Sequence, residues 1–306
     1  MEFGKVQDLS NIDFSLPSDN VETVNLLRGA LPHRVGLPRV FIGCTGWHNK
    51  EWVGWFYPKA CKSTDYLRYY SQQFNTIEMN TTHYRIPPLK DIEKWRRDST
   101  PDFRFAPKML QTVSHAKNLG YGTGLTTRFC DAIQGLEEKL GVCFMQMPPH
   151  FKFSDLNIFE KYISKFPKTI PLAIEIRHED WFSNETHFKT FFDMLEHYQV
   201  SAVITDVAGR RDVLHQRLTK PTALIRFVGN DLHQTDYSRI DEWVEKLKTW
   251  FELGLHEVYF FTHEPDNLKA PHLAKYLHDK IKVSFEAVLR GPIFEVGEET
   301  QQYKLF

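Results

Sequence analysis

From residue 40 onward the chain alternates two periods. Short runs rich in Val, Ile and Phe are each followed by a longer segment whose apolar residues recur at helical spacing. The strand-like runs fall at 40–45 (VFIGCT), 76–81 (TIEMNT), 103–108 (FRFAPK), 141–147 (GVCFMQM), 171–177 (PLAIEIR), 201–207 (SAVITDV), 222–228 (TALIRFV) and 257–263 (EVYFFTH). Helical patterns lie between them, at 65–73, 89–98, 126–139, 155–165, 185–198, 239–253 and 268–281, while 209–219 reads as no more than a short helical turn. Eight strands, each followed by a helix, predict an α/β chain folded as a single (β/α)8 TIM-like barrel. The competing doubly wound sheet fits less well, because no strand opens with a dinucleotide glycine fingerprint. Residues 1–39 and 284–306 lie outside the repeat, so an N-terminal extension and a C-terminal tail are expected around a barrel domain at 40–283.

Composition narrows the class. A hydrophobic fraction of 42% and a charged fraction of 25% are those of a globular protein. A net charge of −1 provides no global field to draw the chain onto nucleic acid or anionic lipid. The four cysteines, Cys44, Cys61, Cys130 and Cys143, show no C-x-x-C pair, which predicts free thiols in a reducing compartment. MEFGKVQDLSNIDF mixes charges and lacks the apolar core of a signal peptide. No apolar run approaches the roughly 20 residues of a membrane span. A soluble cytoplasmic protein, with no membrane partner, is the expectation.

In such a barrel the open mouth lies at the C-terminal ends of the strands. That rule collects Glu78 and Asn80, Lys108, Gln146, Glu175 and Arg177, Asp206, Arg226, and Thr262, His263 and Glu264. In LAIEIRH the isoleucines alternate with Glu175 and Arg177, so both charges point inward. Lys108, Arg177 and Arg226 come from three strands and converge, which favours a phosphate or carboxylate ligand. Glu78, Glu175 and Asp206 are the candidate acid–base groups, or else internal neutralisers of those cations. In GWHNKEWVGWFYP, Trp47 stands nearest the strand end and is the residue placed to stack on a ligand, whereas Trp52, Phe56 and Tyr57 read as packing. Gly120, Gly122 and Gly124 precede a helix, as a phosphate cradle or a plain helix start would, and His115 shares their loop. Glu78, Glu175, Asp206, His178 and His263 have the chemistry of divalent-metal ligands. Metal-motif spacing is missing, however, and Arg177 and Lys108 are interleaved with them, so no cofactor is predicted while a divalent metal stays open.

The motifs IGCTGW (42–47), WFYP (55–58), YYSQQFNTIEMNTTHYRIP (69–87), FAPK (105–108), IEIRHEDWF (174–182), TDVAG (205–209) and IRFVGN (225–230) resemble the YecE-like family, domain of unknown function 72. The resemblance spans about 40–280 and implies a TIM-like barrel, without supplying a reaction. Family members often carry Thr-His where this chain has Ser114-His115, and paired asparagines where it has Thr262-His263. By position the motif residues are Trp47, Glu78, Asn80, Lys108, His115, Glu175, Arg177, His178, Asp206 and Arg226. The catalytic candidates are thus Glu78, Glu175, Asp206 and His115, and the ligand-binding candidates are Trp47, Asn80, Lys108, Arg177, His178 and Arg226.

Three functions follow as expectations. The first is a barrel enzyme, a hydrolase or isomerase, acting on a small anionic ligand. The second is a metal-dependent hydrolase or isomerase, including nuclease-like chemistry. The third is a non-catalytic protein, because the terminal QQYKLF resembles the peptides by which bacterial proteins dock on the DNA sliding clamp, through Gln302, Leu305 and Phe306.

Overall fold

The computed structural model describes residues 4–294. Its strands are β1 (Arg39–Gly43), β2 (Thr76–Met79), β3 (Arg104–Pro107), β4 (Cys143–Gln146), β5 (Leu172–Glu175), β6 (Ser201–Asp206), β7 (Thr222–Val228), β8 (Glu257–His263) and β9 (Val288–Arg290). The helices among the described residues are α1 (Val21–Ala30), α2 (Tyr66–Gln73), α3 (Leu89–Asp98), α4 (Gln111–Ser114), α5 (Leu125–Gln134), α6 (Leu156–Lys165), α7 (Glu185–His197), α8 (Gln234–Leu253) and α9 (Ala270–Ser284). All eight strand-like runs therefore carry strands, and 211–213 supplies only a 3-10 turn between β6 and β7. The helix expected over 126–139 stops at Gln134; Gly135 follows, and a separate 3-10 turn covers Glu137–Lys139. Conversely, α8 starts five residues before its apolar periodicity, where the His233 side chain caps the N–H of Thr235.

The fold is α/β with a mostly parallel central sheet of seven strands in the order β4-β5-β6-β7-β8-β1-β9, beside a separate β2-β3 pair. Single parallel bridges, Thr45 to Glu78 and Lys108 to Phe144, connect that pair to β1 and β4. The pairing of β1 with β2 is thin for two visible reasons. Strand β9 runs alongside Arg39–Phe41. The amide of Asn75 then occupies the next positions, donating to the Val40 carbonyl at 2.8 Å and accepting from the Ile42 N–H at 2.8 Å.

Alternation along the strands sorts the interior. One set of side chains, including Ile42, Ile77, Ile204, Ile225 and Phe260, packs against the helices. The opposite set forms its own cluster of Phe41, Ala106, Val142, Phe144, Ala173, Val203, Leu224, Tyr259 and Phe261. Phe41 and Tyr259 stack within it, ring centroids 4.6 Å apart.

Before β1 the chain passes over the segment that follows β6 and then along α8. Gly4 accepts from the N–H of Gly209 at 2.9 Å, and the carbonyls of Phe14 and Ser15 accept from Arg211. Further along, Asp19 accepts from Lys246 and from the Trp250 indole, both at 2.9 Å. Among the described residues no helix is long and apolar enough to cross a membrane. Gln302, Leu305 and Phe306 lie outside the described residues.

Candidate functional site

A polar layer begins one alternate step beyond the inner apolar cluster. Ala106 is followed by Lys108, Phe144 by Gln146, Ala173 by Glu175, Val203 by Thr205, Leu224 by Arg226 and Phe261 by His263, each two residues toward the C-terminal end of its strand. The same side of successive strands thus changes from apolar to charged at one level. Lys108, Gln146, Glu175, Thr205, Arg226 and His263 are all buried.

Arg226 is the hub. Its Nε and Nη2 donate to the two oxygens of Glu78, each at 2.9 Å, and its Nη1 donates to Glu175 Oε2 at 2.7 Å. Glu78 also accepts from Asn80 Nδ2 at 3.1 Å and from His263 Nε2 at 3.0 Å, so the His263 proton sits on Nε2. Glu175 also accepts from Arg177 Nε at 2.8 Å and from Gln146 Nε2 at 2.8 Å. Gln146 in turn accepts from Lys108 Nζ at 2.9 Å. Burial alone would raise both carboxyls. Arg226 and His263 overcome it and hold Glu78 well below its ordinary range, while Arg177 and Arg226 bring Glu175 to about 2. Burial, followed by repulsion from Arg226, lowers the Lys108 ammonium to about 8.

Lys108, Arg177 and Arg226 thus meet Glu78 and Glu175 on one face, while burial, opposed by Glu78, lowers the pKa of His263. Two histidines lie near the strand-end charges. His115 is half-buried, pairs its Nδ1 with Ser114 Oγ at 2.9 Å, and is pushed down by burial and then by Lys108, His150 and Arg177. His83, which the strand-end rule passed over, is buried with Nδ1 2.6 Å from the Met109 carbonyl and its ring 5.5 Å from that of His115. Its place inside TTHYRIP, just after β2, was the available signal. The hydroxyl of Thr205 is buried without a hydrogen-bond partner among the described residues, as is that of Thr45.

Trp47 and Asn80 line a cavity of about 340 Å³ with Thr45, His48, Met79 and Asn267. Trp47 meets Trp95 edge to face, centroids 5.8 Å apart, while Trp52, Phe56 and Tyr57 pack on one another. A second cavity, about 830 Å³, lies under residues 4–14 at the ends of β6 and β7, with Val207 and Val228 in its lining.

Two candidates stand apart from the Arg226 network. Asp206 is buried, but its carboxylate accepts from Arg239 Nη1 at 3.1 Å, from Trp243 Nε1 at 2.8 Å and from Arg211. The reason is phase: Val203 belongs to the inner cluster, so Thr205 shares its face and Asp206 points to α8. His178 caps the 3-10 turn that follows, accepting from the Asp180 N–H at 3.1 Å. Gly120, Gly122 and Gly124 all have positive φ, and Gly124 begins α5. Among the described residues no group of three or more His, Cys, Asp or Glu side chains is placed to hold a metal ion.

This geometry has relatives. A family model described as protein of unknown function DUF72 matches residues 41–296. The UPF0759 protein YecE of Escherichia coli K12 is 28% identical over 261 residues, 79% of this chain and 93% of that protein. The UPF0759 protein YunF of Bacillus subtilis 168 is 26% identical over 151 residues, 47% of this chain and 52% of that protein. Among solved structures, a DUF72 family protein of Enterococcus faecalis V583, EF0366, aligns with TM-score 0.66 at 20% identity, covering 84% of this chain and 100% of that one. The DUF72 family protein TM1631 of Thermotoga maritima MSB8 aligns with TM-score 0.61 at 24% identity, covering 81% and 100%. The match of the family model from residue 41 to 296, across the strands that carry the buried polar layer, establishes that this chain belongs to the DUF72 family of proteins of unknown function.

Proposed function

We propose that the eight strands β1–β8 close into a TIM-like barrel and that its mouth is an enzyme site for a small ligand bearing a phosphate or carboxylate. The two single bridges flanking the β2-β3 pair support the closure. The observation that carries the ligand class is the charge balance of the buried layer, in which Lys108, Arg177 and Arg226 face Glu78 and Glu175. An anion is the ligand whose attraction to the surplus cation offsets its own desolvation, whereas a cation would be repelled there. The unpartnered Thr205 hydroxyl adds a donor to the same face.

In this reading Glu78 and Glu175 hold the guanidinium groups in place, since each oxygen already accepts at least one hydrogen bond. Acid–base work falls to Lys108 and His115, and Trp47 and Asn80 shape the adjoining cavity for the uncharged part of the ligand. Asp206 acts at a distance by fixing Arg211 and Arg239.

Arg177→Ala tests the assignment. Loss of a charge-assisted contact to an anion is worth about 1.5–3 kcal/mol, or roughly 10- to 100-fold in affinity. A thermal-shift screen of phosphorylated and carboxylated metabolites against the wild type, followed by titration of the best one into the variant, should show that loss. Unchanged affinity would remove the anion site from the mouth.

A further inference from the structure

Lys108 is the member of the buried layer whose surroundings suit a charge least. It follows β3 on the inner face, and its ammonium donates to a neutral amide oxygen of Gln146 rather than to a carboxylate. The ring of Phe144 lies 5.9 Å from Nζ. Both neighbouring carboxylates are committed elsewhere, Glu78 to Arg226 and Glu175 to Arg226 and Arg177. Burial removes hydration from the ammonium, and two guanidinium groups on the same face repel it. Desolvation beside other cations raises the neutral fraction of a lysine that is still mostly charged at pH 7, and that fraction, with its free lone pair, is a nucleophile toward carbonyl carbon.

We propose that Lys108 forms a covalent imine with a small aldehyde or ketone that also carries a carboxylate or phosphate, the anionic group being held by Arg177. This rests on reading the mouth as an anion site and names the substrate class of that site. The Nζ lone pair attacks the carbonyl carbon, a C–N bond forms, and the C=O π pair moves to oxygen. One proton then passes from nitrogen to that oxygen, giving a carbinolamine. The C–O bond breaks as a second proton, drawn from solvent, lets the oxygen leave as water, and the nitrogen lone pair completes the C=N bond of a protonated imine, the form that hydride reduces, which returns its N–H proton to solvent when it becomes neutral. No oxidant or reductant is consumed. The unpartnered hydroxyl of Thr205, in register with Arg226 on the neighbouring strand, is available to a ligand oxygen at this level.

Reductive trapping with cyanoborohydride and peptide mapping by mass spectrometry tests the idea on the full-length protein. Formaldehyde probes the amine alone; glyoxylate, the smallest carboxylate bearing an aldehyde, probes amine and anion site together. With either probe at pH 7, Lys108 should be alkylated at least about ten-fold faster than exposed lysines such as Lys90 or Lys117 in the same sample, because far more of it is neutral. Its rate should rise with pH and level off above about 8. Glyoxylate should be favoured over formaldehyde at Lys108, a preference that Arg177→Ala removes. Alkylation confined to exposed lysines in both arms overturns the proposal. Rapid formaldehyde labelling of Lys108 with no preference for glyoxylate overturns the anionic substrate class and the anion site with it, while leaving the nucleophile standing. Lys108→Arg, which keeps the charge, should lose the label while melting within a few degrees of the wild type, and a label that persists elsewhere in the mouth counts against Lys108.

Discussion

Arg226→Met should lower the free energy of unfolding by about 3–5 kcal/mol, a large part of the margin of an ordinary domain. The guanidinium is fully buried and satisfies both Glu78 and Glu175. Its removal leaves two buried carboxylates in low dielectric: Glu78 loses its main cation, and Glu175 is left with Arg177 as its ion-pair partner. The penalty is that of stranded charge rather than the net worth of an ion pair, so it should shrink when the charge is also removed. A triple variant, Arg226→Met with Glu78→Gln and Glu175→Gln, should regain most of the loss. Urea denaturation of the three proteins at pH 7 decides the matter. A single variant that loses less than about 1 kcal/mol would mean that the layer relaxes and admits water.

Acid should unfold the protein in two stages. His83 and His215 are each held at about 4 by burial, against an ordinary 6.5. The unfolded chain therefore binds protons that the folded one refuses, and stability falls as pH drops from about 6.5 toward 4. The carboxyls follow. Glu175 sits at about 2 against 4.5, because Arg177 and Arg226 outweigh its burial, and Glu78 and Asp206 are lowered by Arg226 and by Arg239 in the same way. A depressed carboxyl contributes stability that is complete above its unfolded value and disappears as pH falls through the folded one. For Glu175 alone that amounts to about 3 kcal/mol between roughly pH 4.5 and 2. Urea midpoints measured from pH 7 to 3 should fall gently at first and steeply below 4.5. In Glu175→Gln the lower limb should flatten while the upper limb stays. A single slope in both proteins would contradict the assignment.

Much of the architecture was readable because the strands are short apolar runs and, except between β6 and β7, each of the eight is followed by a helical segment, a combination that periodicity detects without tertiary context. Periodicity missed three residues of β9 and four of α4, too few to show a period, and also the ten-residue α1, which lies ahead of the alternating repeat. The site was legible where charge and alternation agreed, as in LAIEIR, which places Glu175 and Arg177 on one face. It was misjudged at Asp206, where position at the strand end was weighed without phase. SAVITD puts Val203 and Thr205 on one side, so its last residue had to face the helices. Gln146 and His263 were visible at strand ends, but their importance comes from partners on other strands, which a single sequence does not specify.

Among the described residues, nearly all long-range hydrogen-bond partners of the first forty lie in the last third of the chain. Gly4 meets Gly209, Phe14 meets Arg211, Asp19 meets Trp250, and β1 finds its ladders in β8 and β9. During synthesis this early segment thus emerges well before its neighbours. At about 5–20 residues per second the interval between β1 and β8 is on the order of 10–40 s. For that time VFIGC carries open backbone groups on both edges, a template for mispairing. Slowing translation over 40–256 lengthens that exposure and should raise the aggregated fraction at the expense of the folded one, as measured by the soluble and pelleted shares of newly made protein.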